Sequence, residues 1–307
     1  MSYSEFQDIL ACPGCKEPFE KKGEFDCPKC KLFFSRSVGG RPILLDKEST
    51  DTVLTILQTE RANFDSRSVL KGSRAFSWLA GIFKVLRPPS FSLNTSFPLI
   101  GKILNEKSFS SDPSILFVGG IRKSDRKYFS FSRRLVIDIR DADSVDIIAD
   151  ANKLPFVSAS FDIVVSQALL EHVSDYRRVL GELSRVLKPG GLVYVSIPFM
   201  QPYHSSPSDF RRFTVRGIEE EMGGYIKLSS GVASGPGSAM ARFLPTFFMS
   251  FTDNPILKRL LFYVCGWLFF WFKYFDLFLY NKKGAHVMCA AVYFVGQKPH
   301  ENKVFNA

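Results

Sequence analysis

The chain has 307 residues, 46% of them hydrophobic, with a mean hydropathy of +0.02 and a formal net charge of +10. This length holds one full-sized catalytic domain plus a small module, and the composition fits a globular protein with unusually apolar parts, not a disordered polar chain. The charge is uneven: residues 51–112 and 233–307 supply eight of the ten positive charges and also hold clustered aromatics among the 31 Phe. Basic charge mixed with Phe and Trp points to an anionic membrane surface at least as readily as to nucleic acid.

The N-terminus has no basic stretch followed by an apolar one, so no signal peptide is expected. A reducing, cytoplasmic compartment follows, where paired cysteines are metal ligands before they are disulfides. Cys12-Pro13-Gly14-Cys15 and Cys27-Pro28-Lys29-Cys30 form a C-x2-C-x11-C-x2-C array. Two such knuckles complete a tetrahedral thiolate site with no open position, the structural kind of zinc site. Phe19 to Phe25 and Leu32 to Phe34 read as short strands around it. So small a module buries little core, and metal binding is expected to carry most of its folding free energy. The run LACPGCKEPFEKKGEFDCPKCKLFFSRSVGGRPILLD resembles the zinc-ribbon family that includes the activator subunit of tRNA and protein methyltransferases.

Next, Ser68 to Leu86 reads as a basic amphipathic helix, with Phe76, Leu79, Phe83 and Leu86 in one stripe. From Ser114 apolar strands alternate with helical patterns, the signature of a mostly parallel sheet. The expected strands are Ile115–Val118 ending in Gly119-Gly120, Leu135–Asp138, Asp146–Ala149 leading to Asp150, Phe161–Val165, Leu192–Ile197, about Tyr225–Ser229 and about Val287–Gly296. A helix from about Asp175 to Leu187 is stopped by Lys188-Pro189-Gly190-Gly191, while eleven residues between Asp138 and Asp150 leave room only for a short one. In such sheets ligands bind at the carboxyl ends of the strands. Glycines there let the backbone approach a ligand, and an acid after the second strand can hold a ribose.

IIADANKLPFVSASFDIVVSQALLEHV, followed by SRVLKPGGLVYVSIPF, resembles the class I S-adenosylmethionine-dependent methyltransferases, in the type 11 subgroup. The resemblance implies a doubly wound α/β fold with a mostly parallel seven-stranded sheet and S-adenosylmethionine as cofactor. It places Gly119 and Gly120 at the methionine part, Asp138 at the ribose, Asp150 and Ala151 at the adenine, and Gln167 beside the sulfonium. The first motif departs from the family pattern, with Phe117 in place of an acid and Ile121 in place of the second glycine. More loosely, RPPSFSLN, PFMQPYHSSPSDFRRFT and SGPGSAMARF resemble bacterial zinc-ribbon methyltransferases found among surface-polysaccharide functions.

After the fifth strand, His204, Asp209, Arg211 and Arg212 fall within nine residues. His204 is the candidate general base, with Asp209 as its orienter or the base itself. Arg212 suits an anionic group on the substrate, or else pins the loop with Asp209. Glu171-His172 lies near the same cleft or packs at a helix start. Last, Ile256 to Tyr280 contains a thirteen-residue apolar run, Leu260–Phe272, shorter than the roughly 20 residues that span a bilayer. This insert and the 68–86 helix are either core helices or interfacial membrane elements.

Together these features divide the chain into a zinc ribbon (1–50), a helical and loop-rich connector (51–112) and a methyltransferase domain (113–307) with an apolar insert at about 233–284. The function they favour is methyl transfer to a glycan or lipid-linked glycan at the cytoplasmic membrane surface. RNA methylation ranks below it, because the basic charge accompanies apolar segments and not a polar patch with stacking aromatics. A non-catalytic scaffold is the third alternative, resting on Phe117 and Ile121.

Overall fold

The computed structural model describes residues 3–20, 25–51, 53–54, 88–106, 112–121, 125, 128, 133–204 and 208–300. The helix expected at 68–86 lies outside the described residues. Two strands of the ribbon, β1 (Asp26–Cys27) and β2 (Leu32–Phe33), pair antiparallel. The remaining strands form one sheet: β3 (Ile43–Leu44), β4 (Ile115–Val118), β5 (Arg134–Asp138), β6 (Ile147–Ala149), β7 (Phe161–Gln167), β8 (Leu187–Pro198), β9 (Ile226–Ser234) and β10 (Ala291–Gln297). Their spatial order is β3-β6-β5-β4-β7-β8-β10-β9. All are parallel except β10, which runs antiparallel to both β8 and β9.

The period of two in each strand sends alternate residues to opposite faces. Leu116, Val118, Leu135 and Ile137 join one core, with Val179 and Leu183 of a helix at Tyr176–Val186. Ile115, Phe117 and Val136 join the other, with Phe97 and Ile100 of a helix at Ser96–Glu106. These helices are α1 (Ser96–Glu106) and α2 (Tyr176–Val186), the latter capped by Asp175, which accepts from the Arg178 amide. Phe117 fills the place of the missing acid with core: it is buried against the α1 side. Between β5 and β6 there is no helix; the segment turns at once, and Asp146 accepts from the Val136 amide at 2.8 Å.

Sequence patterning missed an eighth strand, β3, which adds to the outer edge of β6, with Ile43 beside Ile148 and Leu44 beside Ala149. It comes from the ribbon's own tail. The ribbon also joins the shared core through Phe6, Leu10, Phe25 and Leu44, and Phe6 packs on Phe161 with ring centroids 5.9 Å apart. Backbone bonds from Ala11 to the Pro155 carbonyl and from Val157 to the Ile9 carbonyl stitch the first knuckle to the sheet domain. The ribbon therefore does not rest on metal binding alone, as its size suggests; it borrows the larger domain's core.

The chain from Gly235 to Ala290 leaves β9 and returns to β10, whose paired residues Ser234 and Ala291 lie beside the carboxyl end of β8. A short helix, α3 (Val215–Glu221), precedes β9; the excursion itself holds α4 (Pro236–Met249), α5 (Pro255–Phe269), a 3-10 turn at Phe270–Phe275 and α6 (Asp276–Leu279). Asn254 starts α5 by accepting from the Ile256 and Leu257 amides. Continuous winding from Pro255 to Leu279 gives 25 residues whose most apolar 18-residue window has a mean hydropathy of 1.3, long and apolar enough by length and composition to cross a membrane. This corrects the shorter run read from the sequence, which ended where Lys273 and Asp276 begin. Both charges are buried against the domain. Lys273 donates to the Ser90 carbonyl at 2.7 Å, and Asp276 caps α4 by accepting from Gly237 N, Ser238 N and Ser238 Oγ. These bonds hold one face of the run to the protein.

Because ribbon and sheet share one core, Phe6→Ala should cost about 3–5 kcal/mol in a single cooperative transition. Calorimetry showing a separate ribbon transition, with the main one unmoved, would contradict the shared core.

Candidate functional site

The sheet order reverses at β4, which pairs with β5 on one side and β7 on the other. The crevice this opens lies at the carboxyl ends of the strands. Gly119 and Gly120 leave β4 with φ of +86° and +81°, a region that favours glycine. Both amides turn back to the Ile137 carbonyl, at 3.0 and 3.1 Å. A Cβ on Gly120 would sit 3.2 Å from Asp138 Oδ2, and one on Gly119 would sit 3.1 Å from Leu169 Cβ. Glycine is thus what allows the β4 loop to pass directly over the acid ending β5. Asp138 Oδ1 accepts from the Arg140 amide at 2.9 Å, which fixes its carboxylate at the strand end.

Asp150 follows β6 and is buried. Its Oδ1 accepts from Asn152 N and Nδ2, at 2.8 and 3.0 Å, and its Oδ2 accepts from Ser49 Oγ at 2.9 Å. It caps the short turn Ala151–Lys153 and ties it to the ribbon's tail. Gln167 is the last residue of β7, and Ala168 after it adopts φ +50°, a costly conformation for a residue with a Cβ. That bend directs the loop carrying Leu169, Glu171 and His172 along the crevice. Gly119, Gly120, Asp138 and Gln167 therefore stand together at the carboxyl ends of three adjacent strands. The cradle that a Cβ would fill fits a cofactor laid across these strand ends.

Beside it, a cleft of about 180 Å³ is lined by Asn94, Gln167, Glu171, Gln201, His204 and Arg242, among others. Asn94 comes from the strand-free segment before α1, which straps over this face: Thr95 N donates to the Ala233 carbonyl, and Leu93 N to Ser238 Oγ. His204 Nδ1 lies 3.2 Å from the Pro202 carbonyl and 3.5 Å from Asp209 Oδ2, and the His204 amide donates to the same carboxylate at 2.9 Å. His204 and Asp209 thus meet as the sequence suggests. Burial pulls the His204 imidazole below its ordinary value. For Asp209 burial acts upward, but the Arg212 guanidinium and the His204 amide outweigh it and hold the carboxyl below the usual range.

Arg212 grips both Asp209 oxygens and donates to the Arg211 and Pro202 carbonyls. Of the two roles open to it, the structure favours pinning the loop. The cation lining the cleft is instead Arg242 of α4, which donates to Gln201 Oε1 at 3.0 Å and Ser92 Oγ at 3.1 Å. Nothing in the local sequence marked Arg242, because it sits on an otherwise apolar helix. Glu171 is fully buried, in a loop and not at a helix start, and neither carboxylate oxygen has a hydrogen-bond partner. Burial pushes its carboxyl up to about 7.

Residues 131–195 match a protein family described as Methyltransferase domain. The chain carries a class I methyltransferase domain. A demethylmenaquinone methyltransferase of Corynebacterium glutamicum is 28% identical over 116 residues, covering 36% of this chain and 50% of its own. The mouse mitochondrial arginine-hydroxylase NDUFAF5 is 39% identical over 82 residues, 27% of this chain and 23% of its own. Among solved structures, the YcgJ protein of Bacillus subtilis aligns with a TM-score of 0.42 at 13% identity, over 67% of this chain and 99% of its own. The chain spans half the length or less of these curated relatives, and they carry more than one activity. What the methyltransferase domain here acts on has to come from its own cleft.

In the ribbon, the sulfurs of Cys12, Cys15, Cys27 and Cys30 lie within 4.8 Å of one another. A Cβ on Gly14 would sit 3.5 Å from Cys30 Sγ and 3.7 Å from Cys12 Sγ, so the knuckle packs closely about the thiols. Four convergent thiols with no other ligand type are compatible with a zinc ribbon. Protein purified without chelator should hold one zinc per chain, lost in Cys27→Ser; metal analysis finding none in the unmodified protein would count against this site.

Proposed function

We propose that the protein transfers a methyl group from S-adenosylmethionine to a glycan or lipid-linked glycan at the cytoplasmic face of a membrane, with a structural zinc in its ribbon. Bound S-adenosylmethionine supplies an electrophilic methyl on a sulfonium. Gly119 and Gly120 would face its methionine part, Asp138 its ribose, Asp150 and Ala151 its adenine, and Gln167 the sulfonium. The Ser49–Asp150 bond then makes the ribbon a support for the adenine end. His204, held by Asp209, meets the acceptor's hydroxyl, and Asn94, Gln201 and Arg242 orient its polar groups. Methyl transfer is an in-line displacement, so orientation and exclusion of water are the main tasks of these residues.

The membrane setting rests on one observation: an apolar helical run, inside an excursion that leaves and rejoins the sheet beside the cleft, is largely exposed. Only 11% of its most apolar window is buried. Phe251, Leu277 and Phe278 are 60–74% exposed, and Trp267 and Trp271 are nearly half so. Patches of this size mark contact with a partner or a membrane. Lys258 and Arg259 lie in the run's first turns and Lys282 and Lys283 just past its end, an arrangement suited to lying in an anionic interface. The buried Lys273 and Asp276 keep the run on the domain, which favours lying on the bilayer over crossing it. An amphiphilic acceptor would then reach the cleft without leaving the lipid.

Two measurements test this. Asp138→Ala removes a charged acceptor, so S-adenosylmethionine affinity should fall roughly ten- to a hundredfold by calorimetry; unchanged affinity, or no binding by the unmodified protein, would refute the cofactor assignment. The protein should float with anionic liposomes, bind neutral ones less, and detach partly in high salt, at roughly 1 kcal/mol per basic residue near the surface. Trp267→Glu with Trp271→Glu should weaken flotation while the melting transition stays. Indifference to liposomes of every composition would move a soluble glycan or RNA acceptor ahead.

A further inference from the structure

Glu171 is an unusual group to find without donors. A carboxylate removed from water costs several kcal/mol unless hydrogen bonds or a counter-charge replace the solvent. Here no hydrogen bond reaches either oxygen, and the neighbouring guanidinium of Arg212 is held by Asp209. What does surround Glu171 is imidazole. His172 Nε2 lies 3.6 Å from Glu171 Oε1, and the His172 and His204 rings meet edge to face at 5.2 Å. One carboxylate oxygen and one ring nitrogen from each histidine all lie within 4.8 Å of one another.

The outer partners of both rings settle which nitrogen is available. His172 Nδ1 is 2.5 Å from the Ser208 carbonyl, and His204 Nδ1 is 3.2 Å from the Pro202 carbonyl. A carbonyl only accepts, so in each neutral ring Nδ1 carries the proton and Nε2 presents a lone pair. Two imidazoles fixed this way by backbone carbonyls, one of them also beside the Asp209 carboxylate, have the outer-shell support typical of metal-bound histidine. The loops themselves are locked together. Phe210 N donates to the Glu171 carbonyl at 2.7 Å, and Arg211 clamps the Leu170, Val173 and Ser174 carbonyls while lying over Tyr176.

We propose that Glu171, His172 and His204 bind a divalent transition-metal ion whose open positions face the cleft. Two imidazoles and one carboxylate favour iron, cobalt, manganese or zinc over magnesium, which prefers oxygen ligands. Ligands at about 2.0–2.2 Å from a metal stand roughly 3–3.5 Å apart, so small side-chain rotations close the present arrangement around the ion. Glu171 and His204 both line the cleft, so with the ion bound His204 acts through it and not on the hydroxyl directly: a hydroxyl of the acceptor can take an open position and lose its proton to water more readily. Its oxygen then bonds to the methyl carbon as the carbon–sulfur bond breaks, and sulfur keeps the electron pair as a neutral thioether. The role of the ion in methyl transfer rests on the function proposed above; its binding does not.

The test is a cobalt(II) titration of the full-length protein with zinc already in its ribbon. One further equivalent of cobalt should bind and give weak ligand-field absorption without thiolate charge transfer. Glu171→Gln and His204→Asn should each weaken it at least tenfold, and magnesium should not compete. If a variant misfolds, paramagnetic shifts of the His172 and His204 ring protons in the unmodified protein identify the ligands instead. No second equivalent at saturating cobalt, or binding that survives Glu171→Gln, overturns the site. S-adenosylmethionine binding is read in the same sample. Cofactor binding without cobalt removes the metal and leaves the methyltransferase; cobalt binding without cofactor does the reverse.

Discussion

The reversal of strand order at β4 is the constraint on which the rest of the molecule depends. Parallel strands on either side of β4 send their connections to opposite faces of the sheet, and no connection can then cover the gap above β4. Into that gap project the Gly119–Gly120 loop, Asp138 and Gln167, from three adjacent strands. The approach of the glycine loop to Asp138 is so close that a single methyl group would touch the carboxylate. Neither feature would matter alone. The glycines are required because the acid is there, and the acid is held because Arg140 N caps it.

The ribbon adds to this frame from the side. Its four thiols sit at one end, but its tail runs as β3 along β6 and then delivers Ser49 to Asp150. Lys16 extends the same joint, donating to the Leu154 carbonyl and pairing with Glu182, which itself accepts from the Leu154 amide. Order at the thiol cluster is therefore mechanically continuous with order at the crevice. The ribbon can thus stiffen the crevice through a strand and one hydroxyl.

Some of this was legible in the sequence, and the reason differs by element. Paired cysteine spacing makes tight knuckles, so the convergence of the four thiols could be read directly. The buried strands are continuous apolar runs, and the acids and glycines stand where those runs stop. The eighth strand is only two residues long, too short for any period, and is visible only once β6 offers it an edge. Arg242 was illegible for another reason: it is a charge placed where local pattern predicts packing, and its meaning comes from residues far away in sequence. Lys273 and Asp276 misled in the opposite sense, since charges that look like the end of an apolar run are buried within it.

The pairing of Ser234 with Ala291 closes the whole excursion from α4 to β10 at its base. Once the two ends of such a loop are held by neighbouring strands, doubling its length costs only about 0.6 kcal/mol. Sheet register is indifferent to what lies between. The excursion can therefore be lengthened, shortened or exchanged over generations while the cofactor half stays fixed, much as one tool holder accepts many bits. The family match, residues 131–195, ends before the excursion begins.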